Sequence, residues 1–357
     1  MIAVLVGTRP ELIKIAPILR RLQEQKVPHI FIHSNQHYSY EMDTVILKDL
    51  KLKKPDYNLN VGSATHAIQT GKIMEGVEAI CQKHKPSIIL VHGDTNTTLG
   101  GALAAKKLHI QVGHIEAGLR SFDYKMPEEI NRIIVDRISD FLFAPTQIAK
   151  KNLLNEGIPE KQITVTGNTV VDALYNHIEL SKKSTLLQTL KLTKDEYILL
   201  TAHRAENVDI KQRLTKLMKL VEHAAKKLNK KVLFPSHPRT KNRLEEFNIQ
   251  TSANIIFIPP VGYIDMLSLL DNSALVMTDS GGVQEEAYIL KKPLVTLRDS
   301  TERPETLSAN FIIDNNQKKF DSAWKAFKNN EVNWDNSFGD GFACKIIVDK
   351  LLERHNG

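Results

Sequence analysis

The sequence predicts an α/β protein built from two doubly wound, Rossmann-like domains. The first observation is that short segments rich in Val, Ile and Leu alternate with longer segments of helical periodicity, as in βαβ units with parallel sheets. The second is that this alternation runs through the chain twice. The third is the length of 357 residues, which corresponds to about two domains at roughly 150 residues each.

Five segments are predicted as buried strands because each is short, apolar and rich in branched side chains. In chain order they span residues 2–6, 87–91, 197–201, 231–235 and 274–278. Helices are predicted between them, for example over residues 102–108 and 214–228. In the second of these helices the i, i+3, i+4 and i+7 spacing places on one face Leu214, Leu217, Val221, Ala224, Ala225 and Leu228.

We predict an N-terminal domain over residues 1–170 and a C-terminal domain over residues 171–357. A helix is predicted around residues 170–180, the stretch 181–194 shows little apolar periodicity, and the second set of strands starts at Tyr197. Ligands of doubly wound sheets bind beyond the carboxyl ends of the strands. We therefore expect the two domains to face each other across a cleft that holds the active site.

Composition excludes several classes of protein. A hydrophobic content of 42% rules out a disordered chain, and no apolar run approaches the roughly 20 residues of a transmembrane helix. The N-terminal segment is interrupted by Gly-Thr-Arg-Pro too early for a secretory signal. Two cysteines, Cys81 and Cys344, cannot form a disulfide framework and lack metal-ligand spacing, so we expect a cytoplasmic protein.

The net charge of +7 is compatible with either a polyanionic partner or a small anionic substrate. Residues 211–245 hold eleven Lys or Arg against two Glu, and most of these cations lie between the apolar positions of the predicted helix 214–228. They are therefore expected on its solvated face. Because no nucleic-acid motif accompanies them, we expect a small-molecule substrate and neither nucleic acid nor membrane as a partner.

Candidate site residues follow the predicted strands 2–6 and 87–91. Arg9 and Lys14 lie near the start of a predicted helix, where the helix dipole and free N–H groups favour anions. Asp94 stands between a strand and a helix, and the two residues after it could cap that helix equally well. Asp94 is therefore available for another role.

Two glutamates further along the N-terminal half are candidates for acid–base chemistry. Glu116 ends an otherwise apolar segment, and because carboxylates are rarely buried alone, it needs a partner or a functional role. Glu128 and Glu129 follow Pro127, which is a common start of a helix. One glutamate would suffice for that start, so Glu128 is kept as a candidate.

The C-terminal half carries groups suited to an anion. His203 and Arg204 follow one strand, and His237 and Arg239 follow the next. A lone histidine is more often structural, but two at successive strand ends, each beside an arginine, favour a site.

A Ser-Gly-Gly turn gives the strongest local signal in this half. Ser280, Gly281 and Gly282 end a strand and open a helix, so free backbone N–H groups are placed where a diphosphate could bind. Glu286 lies about one turn into the helix, within reach of a ribose diol, and Arg303 is expected near the same strand edge.

The candidates therefore combine carboxylates from one half with phosphate-directed groups from the other. No cysteine or histidine cluster indicates a metal, and no nucleophilic serine elbow is present. A nucleoside diphosphate ligand fits this set best, with acid–base chemistry by Asp94, Glu116, Glu128 and His203.

Together these motifs resemble the non-hydrolysing UDP-N-acetylglucosamine 2-epimerases. The resemblance covers nearly the whole chain, in the order GTRPELIK, HGDTNTTL, HIEAGLRS, MPEEINR, TGNTVVDAL, HRAEN, TDSGGVQEE and TERPE. It implies a fold like that of GT-B glycosyltransferases, with a C-terminal helix at about 342–352 that returns to the first domain. It also implies a homodimer that needs neither a metal nor another cofactor.

The resemblance also implies roles for individual residues. The catalytic set that it implies is Asp94, Glu116, Glu128 and His203. The phosphate and sugar contacts that it implies are Arg9, Lys14, Arg132, Ser280, Gly281, Gly282, Glu286 and Arg303. By position, Val261 and Met266 match the uracil contacts, and His237 matches a histidine near the nucleotide.

The implied reaction interconverts UDP-N-acetylglucosamine and UDP-N-acetylmannosamine through a 2-acetamidoglucal intermediate, for cell-surface polysaccharide. Two alternatives stay open at this point. One is a 2-epimerase of a related UDP-sugar, of the diacetamido-uronic acid or N-acetylfucosamine type, although the intact TERPE segment favours the N-acetylglucosamine substrate. The other is a GT-B glycosyltransferase, which would need an acceptor site that no segment marks. A nucleotide-sugar sensor without activity is disfavoured by the intact acid–base set.

Overall fold

The computed structural model describes residues 1–36, 46–236 and 238–353. The chain divides into two compact units, the first comprising Met1–Asn176 and Ser337–Gly357 and the second His177–Asn336. Each unit contains a parallel β-sheet whose strands are connected by helices. The predicted α/β fold class is therefore confirmed.

The first unit is organised around one sheet. Its described strands are β1 (Ile2–Val6), β2 (His29–His33), β3 (Tyr57–Asn58), β4 (Ile88–His92), β5 (Gln111–Ile115), β6 (Phe141–Ala144) and β7 (Ile163–Val165). They pair in parallel in the order β3-β2-β1-β4-β5-β6-β7. The order reverses between β1 and β4, and this reversal is the position at which doubly wound sheets bind ligands.

The second unit repeats this organisation. Its described strands are β8 (Tyr197–Thr201), β9 (Lys231–Pro235), β10 (Ile255–Ile258), β11 (Leu275–Thr278), β12 (Leu294–Thr296) and β13 (Asn310–Ile312). They are parallel and follow the order β10-β9-β8-β11-β12-β13, so the reversal lies between β8 and β11.

Helices connect the strands in both units. Those with described boundaries are α1 (Arg9–Glu24), α2 (His66–His84), α3 (Asn96–Lys107), α4 (Pro127–Ile138), α5 (Gln147–Asn155), α6 (Thr169–Ser181), α7 (Leu186–Thr189), α8 (Ala205–Val208), α9 (Lys211–Leu228), α10 (Pro238–Glu246), α11 (Tyr263–Asp271), α12 (Gly281–Ile289), α13 (Gln317–Lys328) and α14 (Ala343–Glu353). Short 3₁₀ helices span Glu160–Gln162 and Pro304–Ser308. None of these described helices combines the length and apolarity that a membrane crossing requires.

Periodic apolar residues explain how the helices pack. In α9 the predicted apolar face is buried in the core of the second unit, with Leu228 partly buried at its end. In the first unit α3 lies very close to the sheet, because a Cβ on Gly101 would be 2.2 Å from the Cδ2 atom of Leu5. Small residues on α3 thus allow its backbone to approach β1.

The C-terminal helix α14 belongs to the first unit. The carboxylate of Asp172, on α6, accepts hydrogen bonds from the backbone N–H groups of Ala343 and Cys344 at 3.2 and 3.0 Å. These two groups lack partners within the helix, so Asp172 acts as a cap. Arg21 of α1 also donates to Asp349 of α14 at 3.1 Å.

Candidate active site

Three neighbouring strands of the first unit end at the same edge of its sheet. β1 lies beside β4, and β4 lies beside β5, where His92 is opposite Ile115. Because the strands are parallel, the turns that follow them leave from one edge. These turns carry Gly7, Asp94 and Glu116.

Glu116 is the first residue after β5, and its backbone adopts the left-handed region with φ of +67°. A residue other than glycine costs about 1–3 kcal/mol in this region, so the surrounding structure must hold it there. The side chain is buried, and its Oε1 atom accepts a hydrogen bond from the Nζ atom of the buried Lys14. Lys14 therefore supplies a charged partner for the buried Glu116.

Asp94 is paired with Arg132 in a similar way. Its Oδ2 atom accepts hydrogen bonds from Nε and Nη2 of Arg132 at 3.0 and 2.6 Å, and Asn131 donates to its backbone carbonyl at 2.8 Å. The cap of α3 is Thr95, as its sequence position allowed. The structure thus pairs two predicted substrate-binding cations, Lys14 and Arg132, with two predicted catalytic carboxylates.

The two glutamates at the start of α4 have different environments. Glu129 is buried and accepts hydrogen bonds from the backbone N–H groups of Ser121 and Phe122, from the Ser121 hydroxyl and from Arg132. Glu128 is half-buried and has no hydrogen bond or ion pair with the described residues. Glu129 therefore fills the structural role, and Glu128 is left available for chemistry.

Glu11 is a buried carboxylate that the sequence reasoning did not select. One of its oxygens accepts hydrogen bonds from the backbone N–H groups of Gly7 and Thr8, and the other accepts one from the Thr95 hydroxyl at 2.6 Å. Burial raises the pKa of Glu11 to about 7, although these hydrogen bonds act to lower it. Glu11 links the turn after β1 to the turn after β4.

Two histidines lie next to this carboxylate edge. His114 directs both ring nitrogens at acceptors, Asp136 Oδ1 at 2.6 Å and the carbonyl oxygen of Gly93 at 2.7 Å. His92, the last residue of β4, is buried, and neither of its ring nitrogens has a hydrogen-bond partner among the described residues. Its Nε2 atom is 3.9 Å from Oε1 of Glu116.

In the second unit a buried aspartate organises the turn after β8. Asp279 follows β11 and accepts hydrogen bonds from the backbone N–H groups of His203 and Arg204 and from the Asn207 amide, at 3.0–3.2 Å. The Nδ1 atom of His203 is 3.3 Å from the same carboxylate, while 51% of the His203 side chain is exposed. The backbone of His203 is thus held by Asp279, while about half of its side chain is exposed to solvent.

The Ser-Gly-Gly turn lies against Arg303. Ser280 caps α12, and a Cβ on Gly281 would be 2.5 Å from Nη1 of Arg303, so any larger residue there would have to displace the guanidinium. Arg303 is buried and forms ion pairs with Glu285 and Glu302. These two carboxylates fix the guanidinium beside the first residue of α12.

The other predicted contacts occupy varied environments. A Cβ on Gly282 would meet no described atom within 4 Å, so the backbone at this turn is open to a ligand. Glu286 is buried on α12, while Val261 lies just before α11 and Met266 within it, both half-buried. Arg9 is the half-buried first residue of α1.

A family model described as UDP-N-acetylglucosamine 2-epimerase matches residues 20–352. The chain belongs to this epimerase family. The resemblance inferred from the eight ordered segments is therefore confirmed.

Relatives of this family member include enzymes with two different sugar substrates in their names. UDP-N-acetylglucosamine 2-epimerase from Methanocaldococcus jannaschii is 48% identical over 356 residues, which cover 97% of each chain. UDP-2,3-diacetamido-2,3-dideoxy-D-glucuronate 2-epimerase from Pseudomonas aeruginosa is 41% identical over 317 residues, or 87% of this chain and 88% of that protein. A crystal structure of the M. jannaschii UDP-GlcNAc 2-epimerase in complex with UDP-GlcNAc and UDP is similar with a TM-score of 0.92, 48% identity and 99% coverage of both chains.

Several features of this epimerase-family chain complete the account of the site. His237 lies outside the described residues. Over residues 1–36, 46–236 and 238–353, no group of His, Cys, Asp and Glu side chains could hold a metal ion. Sequence reasoning missed Glu11 and Asp279, although the Thr8-x-x-Glu11 spacing is the pattern of a capping box and could have indicated the first.

Proposed function

We propose that this chain is a non-hydrolysing UDP-N-acetylglucosamine 2-epimerase, an isomerase that interconverts UDP-N-acetylglucosamine and UDP-N-acetylmannosamine. Family membership supports the reaction class. The observation that carries the proposal is the pairing of Glu116 with Lys14 and of Asp94 with Arg132 at one sheet edge. This edge supplies carboxylates that can remove a proton from carbon, and it also supplies cations that can bind a diphosphate.

The proposed reaction is an elimination followed by an addition. A carboxylate removes the proton from C2, the electron pair of that bond forms the C1–C2 double bond, and the C1–O bond to UDP breaks. The product is UDP and 2-acetamidoglucal. A proton then returns to the opposite face of C2, and a UDP oxygen forms the bond to C1 again.

The carboxylates of the first unit suit this chemistry because two faces of C2 need two acid–base groups. The ion pairs of Asp94 with Arg132 and of Glu116 with Lys14 hold both carboxylates in a fixed orientation. Glu128 adds a third carboxylate, one that has no ion pair with the described residues. We propose these three residues, together with His203, as the catalytic set.

The second unit adds backbone N–H groups to the proposed diphosphate contacts of the first unit. Backbone N–H groups at a helix start bind anions and stabilise the negative charge that develops on a leaving group. We propose that the substrate-binding set is Arg9, Lys14, Arg132, His237, Val261, Met266, Ser280, Gly281, Gly282, Glu286 and Arg303. Within it, Glu286 would bind the ribose, and Val261 and Met266 the uracil.

The Pseudomonas aeruginosa relative supports one alternative, a 2-epimerase of a diacetamido-uronic acid. Both substrates share the UDP group and the C2 proton, so the chemistry above is unchanged. The alternatives differ at C3 and C6 of the sugar, and activity measured with each UDP-sugar separates them.

The decisive experiment incubates the protein with UDP-N-acetylglucosamine in heavy water and follows the sugar by NMR. The proposal requires deuterium at C2 and a mixture with the manno isomer, without added metal, nicotinamide or acceptor. Free N-acetylmannosamine would indicate a hydrolysing enzyme. Unchanged substrate would refute the proposal and direct attention to the other UDP-sugars.

A pair of aspartate variants tests the site itself. Asp94→Asn should abolish exchange at C2 while the protein stays folded. Asp140→Asn is the matched control, because Asp140 is also ion-paired, with Lys106, and its side chain is 29% exposed against 31% for Asp94. Asp140 precedes β6, at the opposite end of the strands, so its variant should keep the wild-type exchange rate. Equal rates in both variants would remove Asp94 from the catalytic set.

We further propose that the product supplies N-acetylmannosamine units for cell-surface polysaccharide and that the protein works as a cytoplasmic homodimer. Both cysteines are free thiols, which suits a reducing compartment. Light scattering of the purified protein measures the oligomeric state directly.

A further inference from the structure

His92 is a buried polar side chain that the proposed reaction does not yet use. It ends β4 and is 3% exposed, and neither ring nitrogen has a hydrogen-bond partner among the described residues. Buried polar groups are nearly always paired, so an unpaired imidazole at the edge of a candidate active site requires an explanation.

The groups that face His92 narrow its possible partners. Four ionisable groups lie around it: Glu116, Lys14, His114 and Asp94. Lys14 offers no acceptor, His114 directs both nitrogens at other groups, and Asp94 is engaged with Arg132. The Oε1 atom of Glu116 is an acceptor that lies 3.9 Å from Nε2 of His92. A movement of about 1 Å would bring the two atoms to hydrogen-bond distance.

We propose that His92 is a positioning residue that donates a hydrogen bond to Glu116 when Lys14 turns from Glu116 to the diphosphate of the substrate. This inference rests on the proposed function. A diphosphate competes with Glu116 for Lys14, and without a replacement the buried carboxylate would lose the hydrogen bond that it accepts from the ammonium group. His92 supplies that replacement from the end of the neighbouring strand.

The exchange of partners also changes the strength of Glu116 as a base. An ammonium group stabilises the ionised carboxylate more strongly than a neutral N–H group does. Burial lowers the pKa of His92 to about 4, while Glu116 acts to raise it and Lys14 to lower it, so the imidazole is neutral near pH 7 and retains one N–H to donate. Glu116 therefore becomes a stronger base when substrate binds, because His92 then replaces Lys14 as its hydrogen-bond donor.

Two variants of His92 separate a hydrogen-bonding role from a packing role. Gln places an amide N–H near the position of Nε2, whereas Leu removes the donor and keeps a similar volume. Deuterium exchange at C2 is measured for both across pH 5 to 9. For His92→Leu we expect kcat to fall about tenfold or more with KM within about twofold, because the carboxylate of Glu116 loses the contact that orients it toward C2 in the reacting complex.

The pH dependence of kcat distinguishes the two roles, because a change in packing alone would not shift it. Loss of the donor disfavours the ionised form of Glu116, so the acidic limb of kcat should shift to higher pH in His92→Leu, by about half a unit to one unit. His92→Gln should restore most of the rate and return the limb toward the wild-type position. An unchanged limb in His92→Leu, or equal losses in the two variants, would overturn the proposal.

His33 provides a matched control. It is also a buried histidine at the end of a strand of this sheet, and burial lowers its pKa to about 4 as well. Its Nδ1 atom already accepts a hydrogen bond from the backbone N–H of Asn35. The acidic limb should stay in place in His33→Leu, and an equal shift there would overturn the proposal. Absence of deuterium exchange in the wild type would refute the proposed function, whereas exchange in the wild type with an unchanged acidic limb in His92→Leu would refute only the role of His92.

Discussion

Replacement of Glu11 by glutamine should stabilise the protein at neutral pH. The buried Glu11 carboxyl accepts hydrogen bonds from Gly7 and Thr8 through one oxygen and meets the Thr95 hydroxyl with the other. The oxygen of a glutamine can accept from the same two N–H groups, and its NH₂ can donate to Thr95 Oγ1, so only the direction of the hydrogen bond to Thr95 is reversed. Glutamine has the hydrogen-bonding pattern of a protonated glutamate and does not ionise.

The magnitude follows from the pKa of Glu11, which burial raises from 4.5 to about 7. Between these two values the folded state retains a proton that the unfolded state has released, so the stability contributed by this group falls as the pH rises. At 1.36 kcal/mol per pKa unit the loss is about 3 kcal/mol when the pH reaches 7. The free-energy advantage of Glu11→Gln should therefore grow from near zero at pH 4.5 to about 3 kcal/mol at pH 7 and stay constant above it.

Differential scanning calorimetry of the wild type and Glu11→Gln at pH 5, 6, 7 and 8 measures this difference. His33 and His92 act in the opposite direction, because burial lowers the pKa of each to about 4 and makes stability rise with pH up to about 6.5. Both histidines are present in both proteins, so the comparison at each pH cancels them. A variant less stable than the wild type at pH 8, or a difference that does not vary with pH, would refute the reasoning.

Three further substitutions test the geometry of the same sheet edge. Gly7→Ala should destabilise the protein by about 1–3 kcal/mol, seen as a lower Tm, because the added Cβ would lie 2.0 Å from Oγ1 of Thr97. Glu129→Gln should cost about 3 kcal/mol in the free energy of urea unfolding, since it weakens four hydrogen bonds of a buried carboxylate. Glu128→Gln should leave the urea midpoint unchanged and lower exchange at C2, and the reverse result would exchange the roles of the two glutamates.

The fold could be predicted because its signal is local. Apolar runs predicted the strands 2–6, 197–201 and 231–235 residue for residue, and β4 and β11 begin only one residue later than predicted. By contrast, β3 has only two residues and is defined by its pairing with β2. No periodicity can indicate an element of that length.

The pairing within the candidate site could not be predicted, because it depends on strand order. Lys14 and Glu116 are 102 residues apart, and they meet because β4 lies between β1 and β5 in the sheet. Asp279 was passed over for a related reason: its partners are backbone N–H groups about 75 residues away in the chain. A motif shows which residue types are present, whereas the topology decides which of them satisfy each other.

This pairing changes the meaning of the basic residues in the N-terminal motifs. Free cations would simply add their attraction to a diphosphate, but Lys14 and Arg132 already neutralise Glu116, Asp94 and Glu129. On the proposed function, the diphosphate must therefore compete with carboxylates for the cations that bind it. Part of the binding free energy is then used to release the bases instead of to tighten binding, and such an arrangement favours turnover over affinity. It also means that the carboxylates become strong bases only beside a bound nucleotide sugar.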